Sequence, residues 1–178
     1  MASRTPLLLL VTALAQAQMT KPEYGGGNRL LRPGGYREWV FVGSSLGMGY
    51  KDEAAAENPA FHHVYIQAQA YRHYARTGQF PDKTMLVMEV VAPGTNASIN
   101  RRGRFGDRFV GIEVAVKDTQ RFPEKWAYFD FIGDGGKPLA EATPLPQKSC
   151  WNCHRQHGEV DNVFVQFYPV LRDLRPKK

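Results

Sequence analysis

Stretches in which apolar and polar residues alternate recur through the middle of the chain and predict β-strands. The predicted strands cover residues 61–66, 85–91, 107–117 and 125–132. In the second of them Leu86, Met88 and Val90 fall on one side, as expected for a strand with one face against a core. The pattern indicates an antiparallel sheet.

Helical patterns occupy stretches between and after these strands. A helix is predicted over residues 67–77, and Gly78 is a natural end for it. Residues 36–43 are interpreted as a short helix or strand, and another short helix, capped by Asp161, is predicted from that residue onward. The expected fold class is therefore α+β, a mainly antiparallel sheet with a few packed helices.

The first 17 residues have the pattern of a secretory signal peptide. Arg4 precedes a short apolar run, and Ala15 and Ala17 stand where signal peptidase inspects the chain. This run is too short to span a bilayer, and no later segment is long enough. We therefore expect a signal peptide over residues 1–17, an irregular segment over 18–35 and one domain over 36–178, in a periplasmic protein without a membrane span.

Composition and charge narrow the classes of function. Hydrophobic residues make up 43% of the chain and aromatic residues 12%, which allows a sizeable packed core and disfavours disorder. The formal net charge of +6 falls to +5 when Arg4 leaves with the signal peptide. Export disfavours nucleic acid as a partner, so the basic residues are interpreted as a solvated surface, with docking of an acidic redox partner as the alternative.

The two cysteines of the chain lie in Cys150-Trp151-Asn152-Cys153-His154. This is the attachment motif of a c-type haem, because each thiol can add to one vinyl group and the following histidine then lies under the iron. The motif predicts one covalently attached haem c with iron bound by His154. Two alternatives stay open: a zinc site that also uses His157, and a thioredoxin-like dithiol, although the spacing and the position after the strands fit neither well.

The sixth position of the iron is not determined by spacing. Its candidate ligands are Met48, Met88, His62, His63, His73 and His157. A methionine or histidine in this position would give a closed electron carrier, whereas an empty position would give a gas-binding or catalytic site.

Residues outside the haem motif add a more specific signal. They are Tyr36-Arg37-Glu38-Trp39-Val40-Phe41-Val42-Gly43, Val64-Tyr65 with Tyr71, Thr77-Gly78 with Pro81-Asp82, Gly111 with Val116-Lys117-Asp118, Arg121-Phe122, Trp126-Ala127-Tyr128, Asp161, Val163-Phe164 and Phe167-Tyr168-Pro169-Val170-Leu171-Arg172. With these residues and the haem motif, the chain from about residue 36 to 171 resembles the cytochrome P-460 family. That family includes the hydroxylamine-oxidising cytochromes P-460 and their non-catalytic relatives, the cytochromes c′-beta.

The resemblance implies a mostly antiparallel β fold, usually in a homodimer. It also implies a five-coordinate haem that is attached to Cys150 and Cys153 and bound by His154, with an open distal side. In the catalytic members a lysine is bonded to a haem meso carbon, and the matching position here holds Met88, before Glu89. A thioether cannot form that bond, and Lys83, five residues away, falls on the opposite face of a regular strand.

Three functions are compatible with this reading. The first is a cytochrome of the c′-beta kind that binds nitric oxide or a similar small ligand, with Phe61 crowding the distal side; Met88 in place of lysine favours it. The second is an oxidoreductase acting on hydroxylamine or nitric oxide, for which His62, aligned with a distal polar residue of a catalytic relative, and Glu159 are the candidate catalytic residues. The third is an electron-transfer cytochrome with six-coordinate iron and a periplasmic redox partner.

Overall fold

The computed structural model describes residues 20–49 and 57–174, and the expected signal peptide over residues 1–17 lies outside them. The described part contains seven strands: β1 (Leu30–Leu31), β2 (Val40–Leu46), β3 (Phe61–Ile66), β4 (Met85–Gly94), β5 (Phe105–Lys117), β6 (Trp126–Asp130) and β7 (Glu141–Ala142). It also contains three α-helices: α1 (Ala68–Thr77), α2 (Trp151–His157) and α3 (Pro169–Arg172). None of these helices combines the length and the apolar character that a membrane span requires.

Five strands form one antiparallel sheet in the order β2-β3-β4-β5-β6, so each strand pairs with its neighbours in sequence. A second sheet consists of β1 and β7, which brings the N-terminal segment against the stretch that follows β6. The expected α+β architecture with a mainly antiparallel sheet is confirmed.

Side chains on both faces of the large sheet are buried, because each face is covered by other parts of the chain. We call the front face the one that carries Val64, Leu86 and Tyr128, which pack with residues of α1 and α3. The back face carries alternate residues of the same strands, such as Val87 and Ile112, which pack with the N-terminal segment.

The predicted strands over 85–91, 107–117 and 125–132 are observed as β4, β5 and β6, with bounds that differ by at most three residues. The predicted strand over 61–66 and helix over 67–77 are confirmed as β3 and α1, and Gly78 ends α1 with a left-handed φ of 68°. Residues 36–43, interpreted as helix or strand, form a 3₁₀ turn over Tyr36–Glu38 and then enter β2.

The prediction of a short helix that begins at Asp161 is wrong. Asp161 and Asn162 have φ of 47° and 63°, which no right-handed helix contains, and a 3₁₀ turn begins only at Val165. The carboxylate of Asp161 caps no helix, because it accepts hydrogen bonds from Lys117 and Trp126 instead. Aspartate is common at both helix N-caps and turns, and here the turn prevails.

Candidate functional site

The cysteine-histidine motif forms α2 and its N-terminal cap. Cys150 is the cap residue, and the His154 backbone N–H donates to its carbonyl oxygen at 3.0 Å. Residues four apart lie on the same face of a helix, so Cys150 and His154 face the sheet together. No disulfide joins the two cysteines; Cys150 is half-buried and Cys153 is exposed.

A cavity lies between α2 and the front face of the sheet. Its volume is about 80 Å³, and it opens to solvent on one side. The lining residues are Val64, Leu86, Met88, Glu113, Val114, Ala115, Tyr128, Phe129, Leu145, Cys150, His154 and Tyr168. The walls are mainly apolar and aromatic, and a few polar groups converge on the space, as is typical of a cofactor site.

His154 is oriented by contacts on several sides. Its ring centroid lies 4.3 Å from those of both Tyr128 and Phe164. Its Nδ1 is 2.8 Å from the carbonyl oxygen of Asn162. A carbonyl only accepts hydrogen bonds, so Nδ1 carries the proton and Nε2 keeps its lone pair. Burial lowers the pKa of His154, which favours this neutral, ligating form.

The Cys150 thiol lies in surroundings that disfavour its thiolate. Burial raises its pKa, and the negative charges of Glu113 and Asp130 raise it further. Reactive dithiols of the thioredoxin kind instead have a lowered pKa and sit in a βαβ unit, whereas the large sheet here is antiparallel. The environment of this motif is therefore not that of a redox-active dithiol.

The zinc alternative lacks a suitable set of side chains. Within residues 20–49 and 57–174, no group of three or more His, Cys, Asp or Glu side chains is arranged to hold a metal ion. His157, which that alternative requires, is an exposed residue at the end of α2.

Among the candidates for the sixth iron position, Met88 lines the cavity and the other five do not. His62 shares the front face with Val64 by strand alternation, and burial lowers its pKa. His63 lies on the back face, where its Nδ1 forms a hydrogen bond with Ser44 Oγ at 2.9 Å.

Two residues considered for the distal side lie elsewhere. Phe61 stacks on His63 at 5.8 Å, so its ring is on the back face, contrary to the expected crowding of the site. Glu159 is exposed in the segment after α2 and is not among the residues that line the cavity. Lys83 does not line the cavity and pairs with Asp118; it lies in the turn before β4 with a left-handed φ of 65°, so strand alternation does not describe its position.

Glu113 is a cavity residue that the sequence analysis did not single out. It lies on β5, directly opposite Met88 of β4 on one side and Asp130 of β6 on the other. Burial raises the pKa of its carboxyl group, and the charge of Asp130 adds to this. The available signal was the alternation of β5, in which Glu113 and Ala115 share the face opposite Ile112 and Val114.

These residues fit a covalently held haem. The helix brings one thiol and one imidazole to a single cavity, the second thiol is exposed on the same helix, and the Nδ1 hydrogen bond leaves Nε2 for iron. The apolar walls are suited to the ring.

Comparisons with known proteins agree with this geometry. A search of curated proteins finds no match to the chain. Residues 33–165, which are 133 of the 178, match the family model described as Cytochrome P460. This stretch includes the five-stranded sheet, α1, α2 and most of the cavity lining, so the earlier resemblance is confirmed. The chain belongs to the cytochrome P460 family, whose members are c-type haem proteins.

Proposed function

We propose that this protein is an exported monohaem c-type cytochrome that binds nitric oxide or a similar small ligand at five-coordinate iron. The observation that carries the proposal is the cavity wall opposite α2. It presents Val64, Leu86 and Ala115, with Met88 where catalytic relatives have the cross-linking lysine. Among the described residues, His154 is the only histidine that lines this cavity.

Attachment is assigned to Cys150 and Cys153, which are the only cysteines of the chain, so a single haem would be held. His154 would bind the iron through Nε2. The haem would supply the centre that binds the ligand and accepts electrons. The protein supplies a fixed imidazole, an apolar enclosure that excludes water, and a size limit on what can enter.

A second candidate function is the oxidation of hydroxylamine or nitric oxide, and Glu113 favours it. Oxidising hydroxylamine releases protons, and a carboxyl group within the cavity could accept one. The raised pKa of Glu113 suits proton exchange better than that of an ordinary surface carboxylate. His62 and Glu159 have less support for this role, since neither lines the cavity.

The ferrous absorption spectrum of protein matured in a bacterial periplasm tests these proposals. We expect an ordinary high-spin c-type spectrum that changes on adding nitric oxide. A low-spin spectrum would contradict five-coordinate iron and point to Met88 as a ligand. A strongly red-shifted Soret band would reveal a modified ring and favour the oxidoreductase, which turnover of hydroxylamine with an electron acceptor would then establish.

Attachment is tested with Cys150→Ala and Cys153→Ala. Haem should stay with the wild-type polypeptide after denaturation, and each single variant should keep one free vinyl group, which shifts the haemochrome band to longer wavelength. Unshifted bands in both variants would contradict thioether bonds to these cysteines.

Export is proposed from the predicted signal peptide over residues 1–17, and a homodimer is proposed from the family resemblance. N-terminal sequencing of periplasmic protein should begin after Ala17, and sedimentation should give the mass of a dimer. An uncleaved cytoplasmic product or a monomer mass would contradict these two points.

A further inference from the structure

The carbonyl group that accepts the His154 hydrogen bond belongs to a tight turn over residues 160–163. Val160 and Val163 form an antiparallel bridge, in which the Val163 N–H donates to the Val160 carbonyl at 2.8 Å. Between them Asp161 and Asn162 both have positive φ, as in a type I′ turn, and Asp and Asn are among the residues that best tolerate it. The direction of the Asn162 carbonyl therefore depends on this turn.

The turn is tied to the sheet through one side chain. Asp161 Oδ2 accepts from Lys117 Nζ at 2.6 Å, and Asp161 Oδ1 accepts from Trp126 Nε1 at 3.2 Å. Lys117 and Trp126 are directly opposite each other at the paired ends of β5 and β6. The carboxylate therefore spans two strands that also carry cavity residues.

Lys117 is held in place by a second hydrogen bond. Lys117 Nζ also donates to the Phe80 carbonyl at 2.6 Å, and only 14% of the Lys117 side chain is exposed. The Asp161 side chain is 22% exposed. Solvent and salt therefore screen the Lys117–Asp161 pair less than they screen an ion pair on the surface. Forming the pair also costs less side-chain entropy, because Lys117 is already held by the Phe80 carbonyl.

We propose that Asp161 is a positioning residue for the iron ligand, acting through Asn162. Its bonds to Lys117 and Trp126 hold the turn so that the Asn162 carbonyl accepts the Nδ1 proton of His154. This bond makes Nε2 the ligating nitrogen and a stronger electron donor. The inference rests on the proposed haem ligation by His154, and it assigns to residues 117, 126 and 161 a role beyond packing.

The test compares Asp161→Asn and Lys117→Met with wild-type protein carrying its haem. Asparagine tolerates the left-handed turn but weakens the pairing with lysine, and methionine keeps the stem of Lys117 without its charge. Asp118→Asn is the matched control, because Asp118, like Asp161, accepts hydrogen bonds from a lysine and from an aromatic side chain, here Lys83 and Tyr24, and it does not line the cavity. Lys117→Arg, which retains the charge, serves as the conservative rescue.

The readout is the iron–histidine stretching band in resonance Raman spectra of the ferrous proteins, with unfolding curves recorded in parallel. We expect the band to shift to lower frequency in Asp161→Asn and Lys117→Met. It should stay at the wild-type frequency in Asp118→Asn, even if that variant is less stable, and in Lys117→Arg. If Asp161→Asn does not fold, Lys117→Met decides the outcome.

Wild-type frequencies in the folded Asp161 and Lys117 variants would overturn the inference while leaving haem binding intact. An equal shift in Asp118→Asn would also overturn it, since general loosening would then be the cause. If the high-spin ferrous wild-type protein itself lacks an iron–histidine band, both His154 ligation and the inference built on it are wrong.

Discussion

Glu113 is the cavity residue whose chemistry depends most on its neighbours. It stands in a row across the front face with Val64, Met88 and Asp130. Asp130 is held in place because its Oδ1 accepts from the Ile132 N–H at 2.7 Å. Burial opposes ionisation of the Glu113 carboxyl group, and the neighbouring charge of Asp130 opposes it further. The result is a carboxyl group that holds its proton more tightly than usual.

Glu113→Gln is therefore expected to stabilise the protein increasingly as pH rises. The folded-state pKa lies above the ordinary value of 4.5, so the folded state binds the proton more tightly than the unfolded state does. The free energy of unfolding of the wild-type protein should therefore fall as the pH rises from 4.5 through the folded-state pKa of Glu113. Glutamine does not ionise, so the variant should not lose stability in this way. The gain in the free energy of unfolding should be larger at about pH 8 than at about pH 4.

Denaturant titrations of the haem-loaded proteins at both pH values measure this gain. Glu38→Gln, at an exposed position in the 3₁₀ turn before β2, is the control for the removal of one carboxylate. If the gain from Glu113→Gln were the same at both pH values, the raised pKa would be refuted.

Met88 separates the ligand-binding function from that of a closed electron carrier. If its sulfur does not bind iron, Met88→Leu should keep the high-spin spectrum and the affinity for nitric oxide. Because leucine conserves volume and apolar character, the cost in stability should stay below about 1.5 kcal/mol. A low-spin wild type that becomes high-spin in Met88→Leu would identify the thioether as a ligand.

At the scale of elements, the end of α2 is packed directly against the 160–163 turn. A Cβ on Gly158 would lie 2.5 Å from the His154 carbonyl oxygen and 2.7 Å from the Asn162 carbonyl carbon, both backbone atoms. The Gly158 N–H also donates to that His154 carbonyl at 2.8 Å. Glycine therefore allows the helix and the turn to approach closely enough for the Nδ1 hydrogen bond.

Gly158→Ala is expected to cost about 1–3 kcal/mol in the free energy of unfolding, because backbone must move to accept the methyl group. It should also broaden or shift the iron–histidine band, since the two segments move apart. Gly34→Ala is the control: a Cβ there meets no atom within 4 Å. Equal effects of the two substitutions on stability and on the band would contradict this account.

Elements with local signals were predictable from sequence, and those that depend on distant partners were not. The bounds of β3 and α1 follow from alternation and from Gly78, which are visible in adjacent residues. The turn at Asp161 was mistaken for a helix start because the partner that decides its role, Lys117, is 44 residues away in sequence.

The sequence predicted the haem motif but not Glu113, because the role of Glu113 also depends on residues distant in sequence. Cys150, Cys153 and His154 form a contiguous motif, and the structure brings Met88 to the same cavity. Glu113 was missed because a charged residue in an alternating strand normally indicates a solvent-facing side. Here both faces of the sheet are covered, so the polar side of β5 lines a cavity instead.

At the scale of the whole molecule, the sheet separates two clusters with different roles. The front cluster provides most of the cavity lining and includes Cys150 and Tyr168 at its edge, and Val114 and Phe129 of the back cluster also line the cavity. The back cluster is closed by the N-terminal segment, from which Leu30 enters the core without any exposed surface. We therefore expect the part of the back cluster around Leu30, which does not line the cavity, to contribute to stability with little influence on the haem environment.

Leu30→Ala tests this separation. Leu30 is fully buried, so its truncation should cost about 2–5 kcal/mol in the free energy of unfolding. Leu31→Ala is a control on the same two-residue strand. Because Leu31 is 38% exposed, this substitution should lower the free energy of unfolding far less. The folded variants should keep the wild-type ferrous spectrum and iron–histidine band, because the truncated side chain lies behind the sheet. A spectral change in Leu30→Ala equal to that of a cavity substitution would show that the sheet transmits packing changes from back to front, and that the two clusters act as one.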